Sequence, residues 1–109
     1  MDRPRERAVG VVNSTPLIAL SIVGRLDLLS VLLDDVVVPA SVYEEVVGQG
    51  RGRPGSLEVS EAEWLTVRSP EETSPLPAEV IGLDQGEIDV ILLAGELEAD
   101  WVLIDEKLA

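Results

Sequence analysis

Apolar residues fall along this chain in two rhythms. The first is continuous: Ala8–Val12, Val36–Val38 and Trp101–Ile104 are short unbroken runs rich in β-branched side chains. Runs of this kind suit strands buried on both faces of a sheet, where no position can be left polar. The second rhythm is helical. Leu17–Val23 predicts a short apolar helix, and Leu26, Leu28, Leu29, Leu32 and Leu33 predict another at near-helical spacing. Further on, Ile88, Ile91, Leu92 and Leu97 line one helical face, and Leu93 widens it.

Polar residues punctuate these runs. Thr15-Pro16 predicts a helix start, with Thr15 as N-cap and Pro16 at the first helical position, and Gly24 can end that helix. Asp34-Asp35 turns the chain into the second run, and Pro39 stops it. Ser41-Val-Tyr-Glu44 matches a capping box, which opens a helix to about Val47. Gly48–Gly55, with four glycines, Arg51 and Arg53, predicts a mobile loop; Arg68–Pro77, with three prolines, predicts an irregular one. Trp64–Val67 predicts a short strand, and Asp84-Gln-Gly-Glu87 a second capping pattern. Apolar strands alternating with helices are the α/β signature, with a mainly parallel sheet. The expected organisation is a disordered leader over residues 1–7 and a single domain over residues 8–109.

Composition narrows the chemistry. Aromatics are 3% of the 109 residues, so the core must be aliphatic and no base-stacking platform exists. With 21 acidic residues, 8 basic residues and no His, the net charge is −13, which opposes broad nonspecific binding to a polyanion. A nucleic acid can still be a substrate if metal ions neutralise the site locally. The absence of Cys and His excludes thiolate or imidazole zinc sites, so any metal is oxygen-ligated: Mg²⁺, Mn²⁺ or Ca²⁺. No apolar run reaches the roughly 18 residues a membrane span needs. The charged leader lacks the apolar stretch of a secretory signal, so the expected location is the cytoplasm.

Four polar residues then stand out by position. Asn13 follows the first apolar run, Asp105 follows the last, Glu45 sits in the helix after Ser41, and Glu87 opens the later helix. In an open parallel sheet, residues past strand carboxyl ends converge on one edge, where ligands bind. Oxygens gathered there suit a hard divalent cation. Singly, each has a plainer explanation. Asp105 could cap a turn, Glu45 could be solvated, and Glu44 and Glu87 fit the third position of capping boxes. Asp89 lies about 200° round the helix from Glu87, so the two should not share a face.

These segments resemble a PIN domain, the nuclease fold of many toxin–antitoxin ribonucleases, and are most similar to an uncharacterised PIN-like subgroup. The matching stretches are Val11–Leu20 (Val-Val-Asn-Ser-Thr-Pro-Leu-Ile-Ala-Leu), Gly24–Leu29, Val38–Val46, Leu83–Glu87 and Leu103–Glu106, from about Val9 to Ala109. The resemblance implies a three-layer α/β/α sandwich. It also implies a metal site at Asn13, Glu45, Glu87 and Asp105, with Asp89 as the fallback for Glu87. Glu45, Glu87 and Asp105 would be catalytic, and one or two Mg²⁺ or Mn²⁺ ions would drive RNA hydrolysis. Implied partners are the RNA substrate, a cognate antitoxin and a second copy of the chain. Thr15, Arg51 and Arg53 are weak substrate-binding candidates.

Two departures from the family pattern matter. Position 13 is Asn where most PIN nucleases have Asp, which removes a charge while keeping an oxygen ligand. The sequence also ends at Ala109, before the helix, strand and helix that close a typical member, so self-association over an uncovered apolar surface is expected. The rival expectation is a catalytically degenerate PIN fold that works through protein–protein contact. A phosphoacceptor receiver domain fits poorly, because no acidic pair follows the first strand.

Overall fold

In the computed structural model, which describes residues 7–72, 76–77, 79 and 82–104, the apolar runs assemble into one sheet. The elements are β1 (Val9–Val12), α1 (Ser14–Ile22), α2 (Leu28–Leu32), β2 (Asp35–Pro39), α3 (Ala40–Tyr43), α4 (Ser56–Glu61), β3 (Leu65–Arg68), α5 (Gln85–Leu97) and β4 (Trp101–Leu103). α3 continues directly into a wider π-helical stretch, Glu44–Gln49. Strand order is β3-β2-β1-β4, and every pairing is parallel. Helices flank the sheet in the expected α/β/α arrangement. Among the described residues no helix is long and apolar enough to cross a membrane.

The core follows from the continuous runs. Successive strand residues point to opposite faces. Val11 and Val12 are both 0% exposed, so both faces of β1 are covered. Val36, Val37 and Val38 repeat this in β2. Removing such a side chain from water contributes roughly 1.5–3 kcal/mol. Gly10 serves close packing: a Cβ there would lie 2.5 Å from Leu33 Cδ1, so its absence lets Leu33 settle on the strand. From the other helices, Leu17, Leu29, Val42, Val59, Val90 and Leu93 complete the aliphatic core.

Several local expectations are corrected. The run Trp101–Ile104 is not buried: Trp101 is 61% exposed and Val102 44%. Among the described residues β4 is an edge strand with one neighbour, and an apolar run alone cannot distinguish edge from centre. Asn13, not Thr15, is the N-cap of α1. Pro16 falls within the first turn, where its missing N–H has no intrahelical partner to lose. The Ser41 capping box does not form. Pro39 occupies the N-cap of α3, and the Ser41 hydroxyl bonds to Asp89 instead. On α5 the buried positions are Gly86, Ile88, Asp89, Val90 and Leu93, while Ile91 is exposed. Gly48 and Gln49 belong to the π-helical stretch rather than to the following loop, and α4 has no counterpart in the sequence expectations. Gly24, at φ +72°, ends α1 as expected, and the capping box at Asp84 and Glu87 forms as expected. Of the leader, residues 1–6 lie outside the described residues, and Arg7 is bonded to Asp35.

Candidate functional site

The chain leaves β1 towards β2 on one side, while β4 lies on the other side. The carboxyl ends of β1 and β4 therefore flank the point where strand order reverses, the place where open α/β sheets bind ligands. Asn13 is the first residue beyond β1. Its backbone N–H donates to Leu103 O at 2.9 Å, which fixes it at the end of β4. The residue is 5% exposed, its side chain makes no cap bond, and its Oδ1 has no hydrogen-bond partner among the described residues. A buried carbonyl left this way costs about 1–3 kcal/mol. Such an atom calls for a functional explanation.

What Asn13 Oδ1 faces is set by Gly86. A Cβ at position 86 would lie 3.4 Å from Asn13 Oδ1, 3.5 Å from Asp84 Oδ1 and 3.1 Å from Val42 Cγ2. The missing side chain thus leaves a small space bordered by two oxygens. Helix α5 carries both later acidic candidates, and it treats them differently. Glu87 completes the capping box: its Oε1 accepts from Asp84 N at 3.3 Å, and its own N–H donates to Asp84 Oδ1 at 2.8 Å. Asp89 is 9% exposed and three residues beyond Gly86, on the same helical face. Its Oδ2 accepts from Ser41 Oγ at 2.6 Å and its Oδ1 from Gln85 Nε2 at 2.8 Å.

Glu45 is exposed on the π-helical stretch, a distortion common at functional sites. It lines an open cleft of about 430 Å³ with Ser41, Glu44, Gln49, Asp84, Gln85 and Gly86. The Glu44 carboxylate folds over Gly48, where a Cβ would make it swing aside. Glu44 and Asp84 were legible in the sequence only as capping residues; the structure adds them to the rim of this cleft. Asp105 lies outside the described residues. Thr15 is exposed in the first turn of α1. Arg51 and Arg53 are exposed beside a separate cleft of about 390 Å³, lined also by Val47, Ser56, Leu57 and Ser60. Among the described residues neither guanidinium is paired with a carboxylate.

The donors at this edge are all oxygen, which suits a hard cation. The described residues include no group of three or more carboxylates already set to hold a metal ion. The fit is instead that of one orphaned amide oxygen against the narrow gap left by Gly86, with Asp89 and Glu45 as the candidate charges on the neighbouring elements. A family model for the PIN domain matches residues 9–109. No curated protein and no solved structure gives a significant match.

Proposed function

Since the chain belongs to the PIN-domain family, a family generally of nucleases that use divalent metals, we propose that it is a metal-dependent ribonuclease, the toxin half of a toxin–antitoxin pair. The observation that carries the reading is the buried Asn13 Oδ1 at the strand-order switch point, unpartnered among the described residues. Asn13, Glu45 and Asp105 would hold Mg²⁺ or Mn²⁺ together with a carboxylate from α5. The burial of Asp89 and its place on the Gly86 face favour it over Glu87, which completes the capping box with Asp84. When bound, the cation would lower the pKa of a water and offset charge developing on the scissile phosphate.

The protein's own groups divide the remaining tasks. The buried Asn13 supplies an oxygen without adding charge, so cation binding should be weaker than in an all-carboxylate site. Glu45, exposed in the cleft, is free to accept the proton of the attacking water. Arg51 and Arg53 would hold neighbouring phosphates, offsetting a net charge of −13 that otherwise repels RNA. In-line attack by water would leave a 3′-hydroxyl and a 5′-phosphate. The toxin assignment rests on the resemblance of the Val11–Leu20 and Leu83–Glu87 segments. A second copy is the proposed partner for the exposed apolar surface of Trp101, Val102 and Ile104.

The test is cleavage of a mixed-sequence RNA with Mn²⁺ or Mg²⁺. Cleavage with 5′-phosphate ends, abolished by EDTA and by Asp89→Asn, is expected. No cleavage by any metal-loaded preparation supports the second reading, a degenerate PIN fold acting in protein–protein contact. That reading draws on the neutral Asn13 and on the two hydrogen bonds already made by the Asp89 carboxylate.

A further inference from the structure

The Ser41 hydroxyl and the Gln85 amide meet on the two oxygens of one buried carboxylate, Asp89. They arrive from different elements, Ser41 from the first turn of α3 and Gln85 from the first residue of α5. A Ser at the start of a helix ordinarily satisfies that helix's own N–H groups. Here it reaches 48 residues along the chain to Asp89 Oδ2, at 2.6 Å. Gln85 could extend into water, yet its Nε2 turns back onto Oδ1 at 2.8 Å. No Lys or Arg among the described residues pairs with Asp89, so the hydrogen-bond partners of its carboxylate there are neutral donors.

For fold stability such an arrangement is a poor choice, because an apolar residue at position 89 would bury without needing partners. It suits a carboxylate that must be held in one orientation. Each carboxylate oxygen can accept more than one bond. With one donor on each, both oxygens retain a lone pair, and rotation of the carboxylate is blocked from both sides. Donors placed behind ligating groups in this way orient them, and their loss typically weakens metal binding about 10–100-fold.

We propose that Ser41 and Gln85 are positioning residues that orient the Asp89 carboxylate towards a divalent cation at the Asn13 edge, an assignment that rests on the metal-dependent reading above. In this role both act through Asp89. Ser41 is the more demanding of the two, since its hydroxyl crosses between helices and can be replaced in kind only by Thr.

The experiment measures Mn²⁺ binding by the loss of the free-ion paramagnetic resonance signal, with no RNA present. Wild type is compared with Ser41→Ala, Gln85→Leu, Ser41→Thr and Asp89→Asn, and thermal midpoints are recorded in EDTA. The expected result is a Kd raised about tenfold or more by Ser41→Ala and by Gln85→Leu. Ser41→Thr should stay near wild type in both Kd and EDTA midpoint, while Ser41→Ala and Gln85→Leu, each of which removes a donor from buried Asp89, should lower the midpoint modestly as well as raise the Kd. An unchanged Kd with a lowered EDTA midpoint would mean that the bonds merely tie α3 to α5, and would overturn the proposal. Tight Mn²⁺ binding that survives Asp89→Asn would put the cation elsewhere, overturning this proposal while leaving the nuclease reading standing. No Mn²⁺ binding by wild type would remove the metal-dependent reading and this proposal with it.

Discussion

The two ends of one parallel sheet use their polar residues in opposite ways. At the amino-terminal end the acids are spoken for. Asp34 Oδ2 accepts from Ala8 N at 2.6 Å, Asp100 Oδ2 accepts from Val9 N at 2.8 Å, and Asp35 takes the Arg7 guanidinium through two bonds of 2.9 Å. Asp34 and Asp100 close off backbone donors where β1 begins, doing for the strand what a cap does for a helix. At the carboxyl-terminal end, just past the same strand, the Asn13 oxygen is buried and has no partner among the described residues. The contrast shows that acidity alone does not mark a site in a chain of net charge −13. What marks it is an oxygen that the fold has buried and left unused.

The largest expected effect comes from putting a charge where the oxygen is unused. In the absence of metal, Asn13→Asp buries a carboxylate with no partner, which should cost several kcal/mol at neutral pH. Desolvation raises the folded-state pKa of the new carboxyl above its unfolded value. Stability should therefore be retained in acid and lost as pH rises through the folded pKa. Denaturant titrations at two pH values, with and without Mn²⁺, check this; Mn²⁺ should restore the loss. A metal-free variant as stable as wild type at neutral pH would break the comparison, because position 13 would then not be a closed, unpartnered pocket.

Gly86→Ala is next in size. Its Cβ would press on Val42 Cγ2 and Asn13 Oδ1, at 3.1 and 3.4 Å. Mn²⁺ affinity should drop severalfold. Stability should move little, because Ala gains about 1 kcal/mol of helix propensity over Gly. Isothermal calorimetry alongside a denaturant melt separates the two effects. Asp34→Ala, at the opposite end of the sheet, should do the reverse. Loss of the acceptor for Ala8 N should cost about 1 kcal/mol, with Mn²⁺ binding untouched.

The smallest effect concerns pH at the amino-terminal end. The side-chain hydrogen bond from Arg7, reinforced by its charge, holds the Asp35 carboxyl below its ordinary range. A depressed pKa contributes stability above the unfolded-state value, near 4, and loses it as pH falls through the folded value. The thermal midpoints of wild type and Arg7→Leu should therefore differ slightly at neutral pH and converge in acid, as pH falls through the lowered folded-state value. Both groups are exposed, so the difference is modest and shrinks with salt.

Much of the sheet was legible in the sequence because a strand buried on both faces must be apolar at every position. That rule identified β1 and β2 directly, and it identified β4 as a strand while misplacing it. Trp101 and Val102 satisfy the same rule yet lie at an open edge, since strand order is decided by long-range packing. The cap at Asp84 was legible because its partner, Glu87, is three residues away. Ser41 was misread as a cap for the converse reason: its partner is Asp89, in another element. The same limit applies to the site. Asn13 and Glu45 could be singled out by position, and the roughly 200° between Glu87 and Asp89 was derivable from helical geometry. That Gly86 opens the space before Asn13 Oδ1 required coordinates.

The measurement that bears most directly on the claim that Asn13 Oδ1 awaits a cation is Mn²⁺ affinity, compared between wild type and Asn13→Asp by paramagnetic resonance. Weak binding by wild type, tightened roughly tenfold by the added carboxylate charge, is the predicted result. Equal affinities in the two proteins, or binding by neither, would contradict it.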